Sequence, residues 1–372
     1  MASLPIVHDG FGSLVPATTE GPIDARSFVM TASDVVGDGA SQAPWRGRSR
    51  QLDREVGLDV RANRTAALEA DGKGAGWLTQ RERGAVWLIR LTAFWVGVLG
   101  RRPLRIVVCG IAAYYALFDR VARSASRHWL ERVHGREPRL SDIYRHIRCF
   151  AQVTLDRLLF VAGRTSGIEI GRTGTGALDE QVKTGRGAFL LGAHLGSMDA
   201  MRAEGQEKRL PVSVVGHFEN ARMINAVLEG LNPELSSRVI HAGQDPVRLA
   251  LTLQERIAEG GLVAITADRI GLNEKFVEVD FFGAPAAFAT GPFILASVLK
   301  CPIYLVFGLY FEPNRYELFS ELFADRIELP RRGRQEALEE IVRRYAARLE
   351  SYCRLAPDNW FNFFDFWESG KR

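Results

Sequence analysis

The segment 188–199, with the sequence AFLLGAHLGSMD, decides the fold of this chain. Its first five residues form a short apolar run, which is typical of a buried strand. An amphipathic stretch then begins at Ser197 and continues to residue 208. The segment therefore predicts a strand that leads into a helix through a short turn, and this turn contains His194.

The same alternation of short apolar runs and amphipathic stretches continues along the chain. The apolar runs cover residues 188–192, 212–215, 239–240, 262–266, 276–282 and 303–311. The amphipathic stretches cover residues 197–208, 221–231, 246–259, 290–300 and 334–355. Buried strands that alternate with helices predict an α/β domain in which helices flank a mainly parallel, mixed sheet. We assign residues 139–368 to this domain.

Composition separates a leader from this domain. Of the 372 residues, 47% are hydrophobic and 25% are charged, which excludes a collagen-like or wholly disordered chain. Residues 1–75 are nonetheless rich in Gly, Ala, Ser, Thr and Pro, and a disordered leader is predicted there. The four cysteines are far apart and form no CxxC pair, which argues against a disulfide framework or a zinc knuckle.

A basic and apolar segment, residues 76–138, precedes the domain. Residues 76–140 carry twelve arginines, four acidic residues and no lysine, and they include apolar runs at 91–100 and 106–118. Each run is shorter than the roughly 20 apolar residues of a spanning helix, and its basic and aromatic flanks are typical of an interfacial or re-entrant anchor. The segment predicts an N-terminal helical membrane anchor. A single span over 87–118, or two core-packing helices with solvated arginines, are the alternatives.

His194 and Asp199 are the first candidate catalytic residues. A carboxylate that accepts a hydrogen bond from one ring nitrogen of a histidine raises the basicity of the other, as a general base requires. The five-residue offset allows Asp199 to fold back as this acceptor. Gly196 allows a substrate to approach the backbone, and free amides near Ser197 could stabilise an oxyanion. The alternative is a histidine that caps the helix, with Asp199 as a favourable charge in its first turn.

Other polar residues follow predicted strands, where the reactive groups of a parallel sheet gather. Asp268 and Arg269 follow one strand, and Asn220 and Arg222 follow another, close to His217. An arginine in such a place suits a phosphate or carboxylate of a substrate. The alternative for Arg269 is a structural ion pair.

A metal-dependent hydrolase is the alternative function from a different class. His194, His217, His241 and Asp268 each follow a predicted strand and could converge on a metal. Their spacings match no metal motif, so no metal site is assigned. A non-catalytic membrane scaffold is a third hypothesis. Nucleic acid is not an expected partner, because the basic residues accompany apolar runs and no RNA- or DNA-binding motif is present.

Four features in chain order resemble one enzyme family. His194-x4-Asp199 resembles the catalytic box of the lysophospholipid acyltransferase superfamily. The segments ADR (267–269) and FFGAPA (281–286), followed by TGP (290–292), and the preceding basic apolar segment complete the pattern. The chain looks most like the bacterial lipid A biosynthesis (lauroyl/myristoyl) acyltransferases, over roughly residues 84–368.

This resemblance implies transfer of an acyl chain from a thioester of acyl carrier protein or coenzyme A to a hydroxyl of a lipid or glycolipid. It implies His194 as general base, oriented by Asp199, without a covalent acyl-enzyme, a metal or a cofactor. It also implies a location at the cytoplasmic face of the cell inner membrane.

Further substrate-binding residues follow from the resemblance. Asp268 and Arg269 would line the far side of the cleft. Phe282 and Gly283 belong to a segment that could wall the acyl channel or simply pack as core. The segment NWFNFFDFW (359–367) lacks the basic ending of the lipid A branch and looks more like a branch associated with acylated pigments or other polar lipids, so the acceptor stays open.

Overall fold

The computed structural model describes residues 100–216, 238–242, 245–271 and 274–368. Eight α-helices and nine strands lie within these ranges and are numbered here along them. The helices are α1 (Arg101–Phe118), α2 (Arg120–His134), α3 (Leu140–Val161), α4 (Gly176–Lys183), α5 (Met198–Glu207), α6 (Pro246–Ala258), α7 (Gly291–Leu299) and α8 (Arg334–Leu355). The strands are β1 (Glu169–Thr173), β2 (Ala188–Gly192), β3 (Val212–Gly216), β4 (Val239–His241), β5 (Leu262–Thr266), β6 (Phe276–Phe281), β7 (Ala284–Ala289), β8 (Ile303–Phe311) and β9 (Arg315–Ala324).

Seven strands form one sheet in the order β1-β9-β8-β2-β5-β3-β4. The pair β8–β9 is antiparallel, and the other neighbouring pairs are parallel. The prediction of an α/β fold with a mainly parallel, mixed sheet is thereby confirmed. The predicted leader, residues 1–75, and the predicted helix at 221–231 lie outside the described residues.

The apolar run 276–282 does not join the main sheet. It forms β6 of a separate antiparallel hairpin with β7. Phe282 and Gly283 connect the two strands with φ angles of 54° and 73°. Such left-handed backbone at both central residues is what a two-residue hairpin turn requires.

Both faces of the main sheet are buried, as in other parallel sheets. Along β2, Phe189 and Leu191 pack into the largest core cluster, whereas Ala188 and Leu190 pack into a second cluster on the opposite face. The alternation is that of a strand with helices on both sides. Polar groups with access to substrate must therefore lie beyond the strand ends.

Helix α1 has one buried and one exposed apolar face. Its buried face comprises Leu104, Val108, Ala112 and Ala116, and the helix packs against α3. Its exposed face comprises Ile106, Val107, Ile111, Tyr114, Leu117 and Phe118. The exposed fraction reaches 77% for Ile106 and 70% for Phe118. Within the described ranges no helix is long and apolar enough to cross a membrane, and residues 76–99 of the predicted anchor lie outside them.

A buried ion pair attaches α1 to the domain. The Nε and Nη2 atoms of Arg101 each donate to the Asp156 carboxylate of α3 at 2.8 Å. The same carboxylate accepts from the side chains of Gln152 and Tyr316 at 2.8 and 2.9 Å. Because β9 contributes Tyr316, this cluster joins α1, α3 and the main sheet.

Replacing Arg101 by methionine should destabilise the fold strongly. The variant keeps the aliphatic stem but leaves the Asp156 carboxylate buried without its cation, which costs about 3–5 kcal/mol. Chemical denaturation followed by circular dichroism measures this loss. The matched control is Arg105→Met, on the same helix, whose pair with Glu312 is partly exposed and contributes less than about 1 kcal/mol. Equal losses of stability in the two variants would show that the Arg101–Asp156 ion pair contributes no more than the exposed pair.

Candidate active site

The register of two neighbouring strands brings His194 and Asp268 together. β2 and β5 are parallel, and Gly192 lies opposite Thr266 in the pairing. His194 and Asp268 each follow their strand end by two residues, so they leave the sheet side by side at its carboxyl edge. The Nδ1 atom of His194 lies 2.8 Å from Oδ1 of Asp268.

The Asp268 carboxylate is fully buried and surrounded by hydrogen-bond donors. The backbone N–H of His194 donates to both carboxylate oxygens, at 3.0 and 3.1 Å. Trp360 Nε1 and Asn362 Nδ2 donate to Oδ2 at 3.3 and 3.2 Å. Burial alone would raise the pKa of Asp268, but His194 and Arg269 lower it to about 2. Asp268 is therefore a carboxylate at neutral pH.

The hydrogen bond to Asp268 fixes the state of the His194 ring. Since a carboxylate can only accept, Nδ1 carries the proton and Nε2 has a free lone pair in the neutral imidazole. Burial and the charge of Arg269 lower the pKa of His194 below its usual value, against the opposing effect of Asp268. The side chain keeps an exposed fraction of 34%. His194 is thus a neutral, accessible base at pH 7.

Asp199 lies elsewhere, which corrects the predicted pairing with His194. Ser197 is the N-cap of α5, and its Oγ accepts from the N–H of Ala200. Asp199 falls in the first turn of this helix, where its Oδ2 lies 3.1 Å from Nε of Arg157 on α3. The imidazole is held by Asp268 because strand register, rather than proximity along the chain, determines its neighbour.

The amides of Gly196 and Ser197 are also occupied. Gly196 N–H donates to the carbonyl of Asn359 at 2.8 Å, and Ser197 N–H donates to that of Gly308 at 2.7 Å. Gly196 has a φ of 70°, and a Cβ there would lie 2.1 Å from the Gly308 oxygen. Close backbone packing therefore requires this glycine. These two amides are therefore not free to stabilise an oxyanion.

Arg269 lies beside the His194–Asp268 pair. Its Nε donates to Oδ1 of Asn362 at 2.7 Å, and its Nη2 donates to the Phe361 carbonyl at 2.9 Å. Burial lowers its pKa to about 10, which leaves it a cation at neutral pH. Arg269 thus places a positive charge next to the neutral imidazole.

Phe282 and Gly283 lie at the tip of the β6–β7 hairpin. The Phe282 ring is nearly buried and packs edge-on against Trp129 and Phe281. Its backbone N–H donates to Glu350 of α8 at 2.8 Å. Gly283 is exposed at the turn. Phe282 therefore packs in the core, which is the alternative given above to a wall of the acyl channel.

The other residues named from the sequence do not join this site. His217, Asn220 and Arg222 lie outside the described residues. His241 ends β4, which is separated from β2 by two strands, a distance of about 14 Å at the usual strand spacing. The described part of the chain contains no group of three metal-ligating side chains. Nothing there supports the metal-hydrolase hypothesis.

Two groups of residues that support the site are not predicted from the sequence. Tyr345 of α8 donates its hydroxyl to the Gly192 carbonyl at 2.7 Å and so supports the end of β2. The C-terminal residues Trp360 and Asn362 supply two donors to Asp268. The available signal was the pair of asparagines at 359 and 362 within an otherwise aromatic segment, since amides amid apolar residues need partners.

Comparison with known proteins identifies a family. Residues 77–369 match the family model described as bacterial lipid A biosynthesis acyltransferase. Comparison with curated proteins gives no match. The match spans most of the chain and includes every described residue of the site, so the resemblance inferred from the sequence is confirmed.

Replacing Asp268 by asparagine should lower the pKa of His194 further. The carboxylate is the group that raises this pKa, and its loss should shift the titration down by about 1 pH unit or more. The pH dependence of carbethoxylation at His194, followed by peptide mass spectrometry, measures the shift. Asp199→Asn is the matched control and should leave the titration unchanged. A shift caused by Asp199→Asn and not by Asp268→Asn would instead identify Asp199 as the partner of the imidazole.

Proposed function

We propose that this chain, which belongs to the family of bacterial lipid A biosynthesis acyltransferases, moves a fatty acyl chain from a thioester donor to a hydroxyl of a lipid or glycolipid. The donor is acyl carrier protein or coenzyme A. The observation that carries the proposal is the neutral His194 imidazole, held through Nδ1 by a buried carboxylate. The reaction so written needs neither a metal nor a cofactor.

His194 serves as the general base in this proposal. Its Nε2 removes the proton of the acceptor hydroxyl while the oxygen attacks the thioester carbonyl. The resulting imidazolium is stabilised by the Asp268 carboxylate, whose charge is already maintained in the buried site. The tetrahedral intermediate then expels the thiolate, which takes the proton from the imidazolium. The acyl group passes directly to the acceptor, so no nucleophilic serine or cysteine is required.

Arg269 is the residue best suited to the developing negative charge. The amides of Gly196 and Ser197 donate to the protein itself, so they do not serve as an oxyanion hole. The positive charge of a guanidinium beside the base suits the negative charge that develops on the thioester oxygen, or a phosphate of either substrate. Asp199 has a supporting role through its pair with Arg157.

Acyl transfer should depend on His194 and Asp268 far more than on Asp199. Membranes containing His194→Ala should form no acylated lipid, and Asp268→Asn should lower the rate by about 10²–10⁴-fold, as expected for loss of general-base function. Asp199→Asn should retain most of the rate. Labelled acyl thioester and mass spectrometry of the lipid products provide the measurement, with circular dichroism as a check on folding.

The same assay separates this proposal from the alternatives. Product formation in the presence of EDTA supports direct transfer, whereas EDTA sensitivity with release of free fatty acid would indicate a metal-dependent hydrolase. The mass of the product identifies the acceptor. A rate unaffected by His194→Ala would overturn the catalytic assignment.

Membrane association at the cytoplasmic face of the inner membrane is part of the proposal. Its support is the exposed apolar face of α1, defined above, together with the exposed arginines Arg102 and Arg120 near the ends of that helix. An apolar face with basic neighbours suits the interface of an anionic bilayer. The lipid or glycolipid acceptor would then be reached from this surface.

Two acidic substitutions on this face should weaken vesicle binding. Ile106→Asp combined with Leu117→Asp should reduce the fraction bound to phosphatidylglycerol-containing vesicles by about tenfold or more, because apolar contacts are lost and negative charge is added. Sedimentation measures the effect. Val247→Asp combined with Leu251→Asp is the matched control, since these exposed apolar residues lie on α6. Equal binding by both variants would exclude α1 as the contact.

A further inference from the structure

A short C-terminal segment, residues 359–362, lies across the carboxyl edge of the sheet, and we call it the strap. The Asn359 carbonyl accepts from Gly196, and the Phe361 N–H donates to the His194 carbonyl at 2.9 Å. Between them, Leu195 and Trp360 form an antiparallel bridge. The strap therefore supports the backbone of the turn that carries His194.

The strap is itself fixed from two other directions. The Asn359 side chain bonds both backbone groups of Tyr310 on β8, at 2.7 and 3.0 Å. On the other side, Nε2 of the buried His146 donates to the Trp360 carbonyl at 3.0 Å. Because the strap is anchored to β8 and α3, its side chains have fixed positions relative to the sheet.

Asn362 uses this position to connect two residues of the site. The residue is buried, with an exposed fraction of 2%. Its Nδ2 donates to Asp268 and its Oδ1 accepts from Nε of Arg269. A carboxylate only accepts and a guanidinium only donates, so the side chain between them must supply one donor and one acceptor. An amide meets this requirement, and neither a carboxylate nor an aliphatic side chain does.

We propose that Asn362 is a positioning residue that holds the Asp268 carboxylate and the Arg269 guanidinium in the arrangement His194 needs as a base. The inference rests on the proposed acyl transfer and deepens it. In this role Asn362 acts through Asp268 and Arg269 and contacts neither the thioester donor nor the hydroxyl acceptor. Its two hydrogen bonds occupy one lone pair of Asp268 and keep Arg269 beside the imidazole, and both effects help to keep the His194 ring neutral.

The effect on His194 has a definite sign. Asn362→Leu fills similar space but removes both hydrogen bonds. Asp268 then has one donor fewer and interacts more strongly with the imidazolium of His194. Arg269 loses the acceptor that keeps its charge beside the imidazole ring. Both changes favour the protonated imidazole, so the pKa of His194 should rise. Asn362→Asp keeps the acceptor for Arg269 and adds negative charge, so its rise should be larger.

The experiment compares these variants in the full-length protein. Asn362→Leu should lower kcat/KM by about tenfold, the effect of one charge-assisted hydrogen bond. The acid limb of its pH–rate profile should move to higher pH by about half a unit or more. The pH dependence of carbethoxylation at His194 should show the same shift, and this measurement does not depend on enzyme activity.

Two controls separate positioning from loss of stability. Asn314→Leu removes an amide whose Nδ2 donates to the Gly167 carbonyl and should leave the rate and pH profile unchanged. Leu253→Ala creates a cavity in the buried face of α6 and should lower stability without moving the acid limb. If Asn362→Leu lowers activity and stability together but leaves the His194 titration in place, the proposal is overturned.

The outcomes also distinguish this inference from the proposed function. If the wild-type protein transfers no acyl group, the proposed function fails, while the carbethoxylation profiles still test whether Asn362 controls His194. If transfer occurs and the profiles of wild type and Asn362→Leu coincide, only the inference about Asn362 fails.

Discussion

The buried carboxylate of Asp268 is the requirement on which the rest of the site depends. A carboxylate removed from water remains charged only where donors replace its hydration. Here the donors come from the His194 turn and from the strap, two parts of the chain more than 160 residues apart. The hairpin, α8 and the aromatic cluster around Trp360 then hold those parts in place. The geometry of the candidate site and the folding of the domain therefore depend on the same contacts.

Much of the fold could be predicted from the sequence because its signal is local. Apolar runs such as 262–266 are short, bounded and separated by amphipathic stretches, and this pattern determines a parallel sheet. The β6–β7 hairpin was not separated from the main sheet, because its turn uses Phe282 at positive φ, which is uncommon for an aromatic residue. The apolar pattern does not indicate β9 either, because Glu317, Ser320 and Glu321 interrupt it.

The three central members of the site were predictable from the sequence, but their pairings and the supporting residues Tyr345, Trp360 and Asn362 were not. His194, Asp268 and Arg269 were all identified as residues that follow strands. Which carboxylate contacts the imidazole depends on the register between β2 and β5, and chain spacing instead favoured Asp199. The role of Asn362 depends on a contact with residues 93 and 94 positions earlier. Such long-range partners have no local signature in a single sequence.

The strap also determines when the candidate site is completed during synthesis. Residues 359–362 follow every other residue of the site along the chain, so they are the last of them to emerge from the ribosome. The helices and strands that precede them can begin to fold earlier. Until the strap emerges, Asp268 lacks two donors and the His194 turn lacks its backbone partners. Under the proposed function, we therefore expect the nascent chain to be inactive until the strap has emerged from the ribosome.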